Sequence, residues 1–180
     1  MFLKAYRTET IEALLDGFVS AFAFFGGVPL SVLMDNTKLA VAKILPDGRR
    51  ELTVAFTRLI SHYVFKERFG RPGKGNDKGK VEALVKFARR SQLTPVPRVA
   101  SIDDLNADLE AACIKRLGER AGREMALIGE RLLAALAVFR QLDMGPFEAC
   151  DVRAASPCQL DRAGALPQRG LLGAHGLRPS

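Results

Sequence analysis

Asp35 and Glu82 are the residues whose setting can do chemistry. Asp35 directly follows the apolar run LSVLM, which reads as a buried strand, so it falls at that strand's C-terminal end. Glu82 falls in the first turns of an amphipathic helix, just after the glycine- and lysine-rich stretch GKGNDKGK. If a strand-end aspartate and a helical glutamate converge, they can hold a divalent cation, because magnesium takes its ligands from carboxylates and substrate phosphates. Paired ions of this kind serve phosphoryl transfer, activating the attacking oxygen and stabilising the leaving one. Plainer readings stand beside this one. Glu82 and Lys86 also form an ordinary i,i+4 pair, worth about 0.2–0.5 kcal/mol, and Asp35 can simply cap a turn.

The charge around Glu82 is lopsided. The 180-residue chain has 27 Lys and Arg against 20 Asp and Glu, a net charge of +7. Between Lys66 and Arg90 nine basic residues face three acidic ones, so this stretch alone carries +6. Such clustering is the footprint of a polyanion partner; a solvated lysine-rich surface is the alternative. The candidate phosphate contacts are Lys74, Lys78, Lys80, Lys86, Arg89 and Arg90. GKGNDKGK lacks the Gly-Lys-Ser/Thr ending of a nucleotide-binding phosphate loop, so nucleotide binding is not expected. His62 reads as a surface or core residue, and Phe18, Phe22, Phe24 and Phe25 read as core rather than as a base-stacking platform. Cys113, Cys150 and Cys158 are odd in number and widely spaced, which suggests neither a disulfide framework nor a zinc site and fits a reducing cytosol.

The elements that must position these residues alternate between strand and helix. FLKAY reads as a strand, and Thr8 or Thr10 can cap a helix whose apolar face is Ile11, Leu14, Leu15, Phe18, Phe22 and Phe25. Gly26 and Gly27 stop that helix and Pro29 prevents its resumption. LAVAKI reads as extended, closed by the turn Pro46-Asp47-Gly48. Residues 52–63 read as a second helix and YVFKERF as another strand. The helix carrying Glu82 has Val81, Leu84, Val85 and Ala88 as its predicted inner face. Pro95 and Pro97 mark a boundary, after which Ser101 and Asp104 resemble a capping box that opens a helix with Leu105, Leu109, Ala112 and Cys113 inward. A further helical pattern spans about 126–142. The N-terminus resembles neither a signal peptide nor a membrane span, and no membrane partner is expected.

The stretches AFAFFGGVPLSVLMDNTKLAVAKIL and SHYVFKERFGRPGKGNDKGKVEALVKFARR strongly resemble the IstA-type transposases of bacterial insertion sequences. The resemblance covers roughly residues 1–155, with FFGGVP, DNTK and GKGNDKGKVE its most specific parts. It implies a retroviral-integrase-like, RNase H-like α/β core with an Asp-Asp-Glu set and two magnesium (or manganese) ions. It also implies cutting of element ends, joining of 3′ hydroxyls to target DNA, an ATPase helper protein and a bacterial cytoplasmic setting. By the same resemblance Asp35 matches the second catalytic carboxylate and Glu82 the third.

The chain departs from the family's pattern at both ends. FLKAY matches the third strand of the core, so the first two strands, and the first catalytic aspartate, have no counterpart here. Glu9, Glu12 and Asp16 lie in or beside a helix and do not replace it. The expected organisation is an incomplete RNase H-like core at 1–95, a helical segment at 96–150 and an irregular tail at 151–180. In the family a segment resembling VRYRTNDYSVP follows PFEACD. Suitable codons for residues 164–180, shifted by one base, read VRYRNEDYSVPTAYGH, so the tail is expected to be out of frame from about residue 159. The expected function is DNA transposition by metal-dependent phosphoryl transfer, inactive in this fragment. The alternative is a non-catalytic DNA-binding module, or an inhibitor that pairs with intact transposase subunits.

Overall fold

The computed structural model describes residues 1–70, 79–122, 124–143 and 145–149, with residues 79–82 described by their backbone alone. Lys74, Lys78 and the tail from residue 150 onward lie outside the described residues. The order is α1 (Ile11–Phe25), β1 (Ser31–Met34), β2 (Val41–Ile44), β3 (Arg50–Leu52), α2 (Val54–Tyr63), β4 (Lys66–Phe69), α3 (Gly79–Gln92), α4 (Ile102–Arg116) and α5 (Ile128–Leu136). The result is a mixed α/β fold.

Local sequence sets both ends of α1. The Thr10 hydroxyl accepts from the Ala13 amide at 3.2 Å, satisfying one of the orphan N–H groups of the first turn. At the other end Gly26 takes a left-handed conformation (φ 73°), and the amides of Gly26 and Gly27 bond back to Ala23 and Phe22. The helix buries Leu15 and Phe22 against α2, from which Phe56 and Leu59 are fully enclosed. Phe22 meets Tyr63 edge-on at 4.9 Å, and Phe18 meets Phe56 at 5.8 Å. Phe24 and Phe25 do not join this core as the sequence suggests. They pack on each other at 5.2 Å, and Phe24 packs on Phe2 at the same distance.

β1 and β4 run parallel, Ser31 opposite Lys66 through Met34 opposite Phe69. β2 and β3 form an antiparallel hairpin around the Leu45–Gly48 turn, where the Gly48 amide bonds to the Leu45 carbonyl. Gly48 has φ 80°, which a side chain would strain. β1 is not buried on both faces. Val32 and Met34 pack on the core, while Leu33 remains 53% exposed, because no described element covers its face.

Three further expectations need correction. FLKAY has no strand ladder, because no strand pairs with it among the described residues. The side chain of Asn106 in α4 takes the place of a partner strand, accepting from the Ala5 amide at 2.7 Å and donating to its carbonyl at 3.1 Å. The helical pattern over 126–142 yields only α5. Beyond Leu136 the chain tightens into i→i+3 turns, and Arg140 then exchanges two backbone hydrogen bonds with Val28, at 2.9 and 2.8 Å. Tertiary pairing overrides helical periodicity there. Residues 50–52 form a strand, and α2 starts only after its Thr53 cap. The Ser101 cap of α4 is present, and Leu109 and Cys113 on that helix are buried. Among the described residues no helix is long and apolar enough to cross a membrane.

Candidate carboxylate site and nucleic-acid interface

Asp35 stands where the sequence places it, immediately after β1 and exposed. Its Oδ1 accepts from the Asn36 amide at 2.8 Å, and its carbonyl accepts from the Thr37 amide at 2.9 Å. The carboxylate is thereby oriented by the turn it opens. A group of side chains converges on that turn. Arg50 donates through Nε to Asn36 Oδ1 at 2.7 Å and through Nη2 to the Gly70 carbonyl at 3.0 Å. Its Nη1 reaches the Gly48 carbonyl at 3.2 Å, and its guanidinium lies 5.1 Å from the centre of the Phe69 ring. Asn36 Nδ2 also donates to Gly70, at 3.4 Å. Sequence reasoning missed Arg50 and Asn36. The contacts that join them to each other and to Gly70 span 14 to 34 residues, which no local pattern reveals.

Glu82 lies on α3, as expected. Its side chain and that of Lys80 are outside the described residues. The face it occupies follows from helical geometry. At about 100° per residue, positions 82, 86, 89 and 90 fall within one stripe of the helix. Lys86, Arg89 and Arg90 are exposed on that stripe, and Ala88, about opposite, is the buried residue among the α3 side chains described. The wider inner face expected from the sequence is corrected: Leu84 and Val85 are 45% and 44% exposed. Just outside the stripe, Phe87 is covered by the guanidinium of Arg116 from α4, 4.0 Å from the ring centre. α3 thus presents three cations to solvent beside position 82.

A carboxylate at Asp35 has the oxygen-donor chemistry that magnesium or manganese favours. Among the described residues no group of three or more His, Cys, Asp or Glu side chains gathers into a metal cluster. His62 is structural: its Nε2 lies 2.9 Å from the Gly145 carbonyl, and its ring packs edge-on against Tyr63 and Phe147. Cys113 is buried, and burial pushes its thiol above the ordinary range, which suits an inert core residue.

No protein-family profile matches the chain. Curated relatives do. A transposase of Aminobacter aminovorans is 40% identical over 111 residues, covering 62% of this chain and 22% of the relative. The transposase for insertion sequence element IS21 of Pseudomonas aeruginosa is 36% identical over 102 residues, covering 57% and 26%. A putative transposase for insertion sequence IS408 of Burkholderia multivorans is 32% identical over 162 residues, covering 84% and 30%. The chain therefore spans less than a third of the length of these relatives. Over that span it is homologous to the IstA-like transposases of the IS21 and IS1326 insertion sequences.

Proposed function

We propose that these residues are part of the DNA-joining core of an insertion-sequence transposase, built on an incomplete RNase H-like sheet. β1, directly followed by Asp35, and the neighbouring parallel strand β4 belong to that sheet. The observation that carries the proposal is the exposed stripe of Lys86, Arg89 and Arg90 on α3, with Glu82 in the same stripe, in a chain homologous to transposases. In the sequence, Lys74, Lys78 and Lys80 precede these residues and are proposed to add positive charge beside the DNA backbone.

Asp35 and Glu82 would hold magnesium or manganese. When bound, the metal supplies charge neutralisation at the transferring phosphate and lowers the pKa of an attacking hydroxyl or water. The chain's own contribution is positional. α3 is a rigid carrier for its glutamate, and the cations beside it hold the DNA backbone so that the phosphate lies against the carboxylates. An attack on phosphorus is sensitive to alignment, and small misplacements cost about 100-fold in rate.

Two of the three carboxylates implied by the resemblance have matching positions in these 180 residues. By itself the chain is therefore proposed not to join DNA strands. It would act with intact transposase subunits and an ATPase helper in the bacterial cytoplasm, or as a DNA-holding module or inhibitor that pairs with intact transposase. Residues 1–95 form the core portion, 96–150 the helical segment and 151–180 a tail, out of frame from about 159. The test is to incubate the purified chain with magnesium or manganese and labelled DNA ends, with and without the Glu82→Gln substitution. DNA binding without joined product is expected from the chain alone. Joined product that disappears in Glu82→Gln would overturn the non-catalytic reading, and absence of DNA binding would overturn the whole proposal.

A further inference from the structure

We propose that Arg50 is the positioning residue of the Asp35 turn, fixing the ends of β1 and β4 against each other. The proposal rests on the reading of Asp35 as a metal ligand, and it adds a residue to that site. β1 and β4 are four-residue strands that end in register, Met34 opposite Phe69. Beyond them the chain departs twice, at Asp35 into the turn and at Gly70 toward the segment that leads to Glu82. Strand pairs this short hold their ends weakly unless something ties them.

The Arg50 guanidinium does so from a third element, β3. Its three nitrogens reach three different segments: Asn36 Oδ1 at 2.7 Å, the Gly70 carbonyl at 3.0 Å and the Gly48 carbonyl at 3.2 Å. Gly70 is buried, so its carbonyl needs these donors. The link to the carboxylate runs through Asn36. Arg50 fixes the Asn36 side chain, and the Asn36 backbone amide donates to Asp35 Oδ1 at 2.8 Å. One planar fork thus sets the amide on which the carboxylate rests and the point where the chain leaves for α3. A lysine, with a single nitrogen on a flexible stem, cannot span three acceptors in this geometry.

The experiment uses the full chain and Mn2+ alone. In the unaltered protein Mn2+ should selectively broaden the amide signals of residues 35–37, and Asp35→Asn should remove the effect. Arg50→Lys should weaken the apparent Mn2+ affinity by about 10-fold, the loss typical when the partner that orients a metal ligand is removed, while the protein stays folded by circular dichroism. Arg49→Lys serves as the control. It makes the same change at the neighbouring arginine, whose Nε pairs with Asp47 within the hairpin turn, so its Mn2+ affinity should change less than about 2-fold by comparison with the Arg50→Lys loss. In metal-free protein, Arg50→Lys should lower the heteronuclear NOE at Asn36 and Gly70. Unchanged affinity in Arg50→Lys, an equal loss in Arg49→Lys, or an unchanged NOE would each overturn the positioning role. Absence of broadening at 35–37 in the unaltered chain would instead overturn the ligand reading, and the NOE then decides the clamp on its own.

Discussion

Neutralising Lys86, Arg89 and Arg90 together should flatten the salt dependence of DNA binding. The three side chains are exposed on one stripe of α3, opposite the buried Ala88, so one stretch of phosphate backbone can meet all of them. Each phosphate neutralised on duplex DNA releases counterions and adds about −0.9 to the slope of log K against log salt. Four contacts from the basic cluster would give about −3.6, three of them about −2.7. A triple substitution to Gln should therefore move the slope from about −3.6 toward about −0.9. At the larger slope, raising salt from 50 to 200 mM costs about 150-fold in affinity; at the smaller, about 3- to 4-fold. Glutamine keeps a good helix propensity, and exposed substitutions of this kind usually change stability by less than about 0.5 kcal/mol. The fold should therefore survive. The assay is fluorescence anisotropy of a labelled duplex titrated with protein at several salt concentrations, on two unrelated sequences. Equal affinity for the two is expected, because phosphate contacts carry no sequence information. A slope that the triple substitution leaves unchanged would refute the assignment of the stripe, and a slope near zero in the unaltered chain would remove the DNA interface altogether.

Three further outcomes follow from the fold. Val64 caps α2 in a left-handed conformation (φ 53°), which costs a β-branched residue on the order of 1–2 kcal/mol, so Val64→Asn should stabilise the protein by roughly 0.5–1 kcal/mol in urea denaturation. A Cβ at Gly27 would lie 3.0 Å from the Arg140 carbonyl oxygen and 3.1 Å from Phe139 Cβ. Gly27→Ala should therefore cost about 1–3 kcal/mol and speed amide exchange at Val28 and Arg140. Burial pushes the Asp16 carboxyl up, but hydrogen bonds from Lys4 and Tyr6, both 2.6 Å, outweigh it and hold the group below its ordinary value. A depressed carboxylate contributes stability above the unfolded-state pKa and loses it as pH falls through the folded one. Thermal melts of the unaltered chain should therefore drop more between pH 5 and pH 2 than those of Asp16→Asn, and equal drops would show that the Lys4 and Tyr6 bonds to Asp16 contribute nothing.

What was legible in the sequence divides by the range of the interaction. Thr10, Thr53 and Ser101 act on amides three residues away, and the amides of Gly26 and Gly27 close α1 through carbonyls three and five residues back, respectively. Such signals are local, so the starts and stops they encode can be read directly. Whether a strand or a helix forms is another matter when its partner decides. FLKAY has strand composition, but a strand exists only through its ladder, and here the side-chain amide of Asn106, 101 residues on, supplies the bonds. Residues beyond Leu136 keep helical spacing yet leave the helix because Val28 offers Arg140 a pair of backbone hydrogen bonds.

The candidate site shows the same division inside a few residues. Asp35 was legible because an apolar run followed by Asp-Asn places a carboxylate at a strand's end whatever the strand pairs with. The basic stripe was legible in composition, but which cations share a face required the helix to be phased, and the buried Ala88 phases it. Arg50 was not legible at all. Read locally, PDGRR is a hairpin turn with two arginines. One of them, Arg49, pairs with Asp47 at 2.6 Å within that turn, while the other reaches across two elements to Asn36 and Gly70. Nothing in the turn's own residues distinguishes the two. The difference arises from strand alternation, which sends adjacent side chains to opposite faces of the hairpin. Arg50 is aimed at the β1–β4 edge, so its contacts become visible only once the parallel pairing of those strands is known.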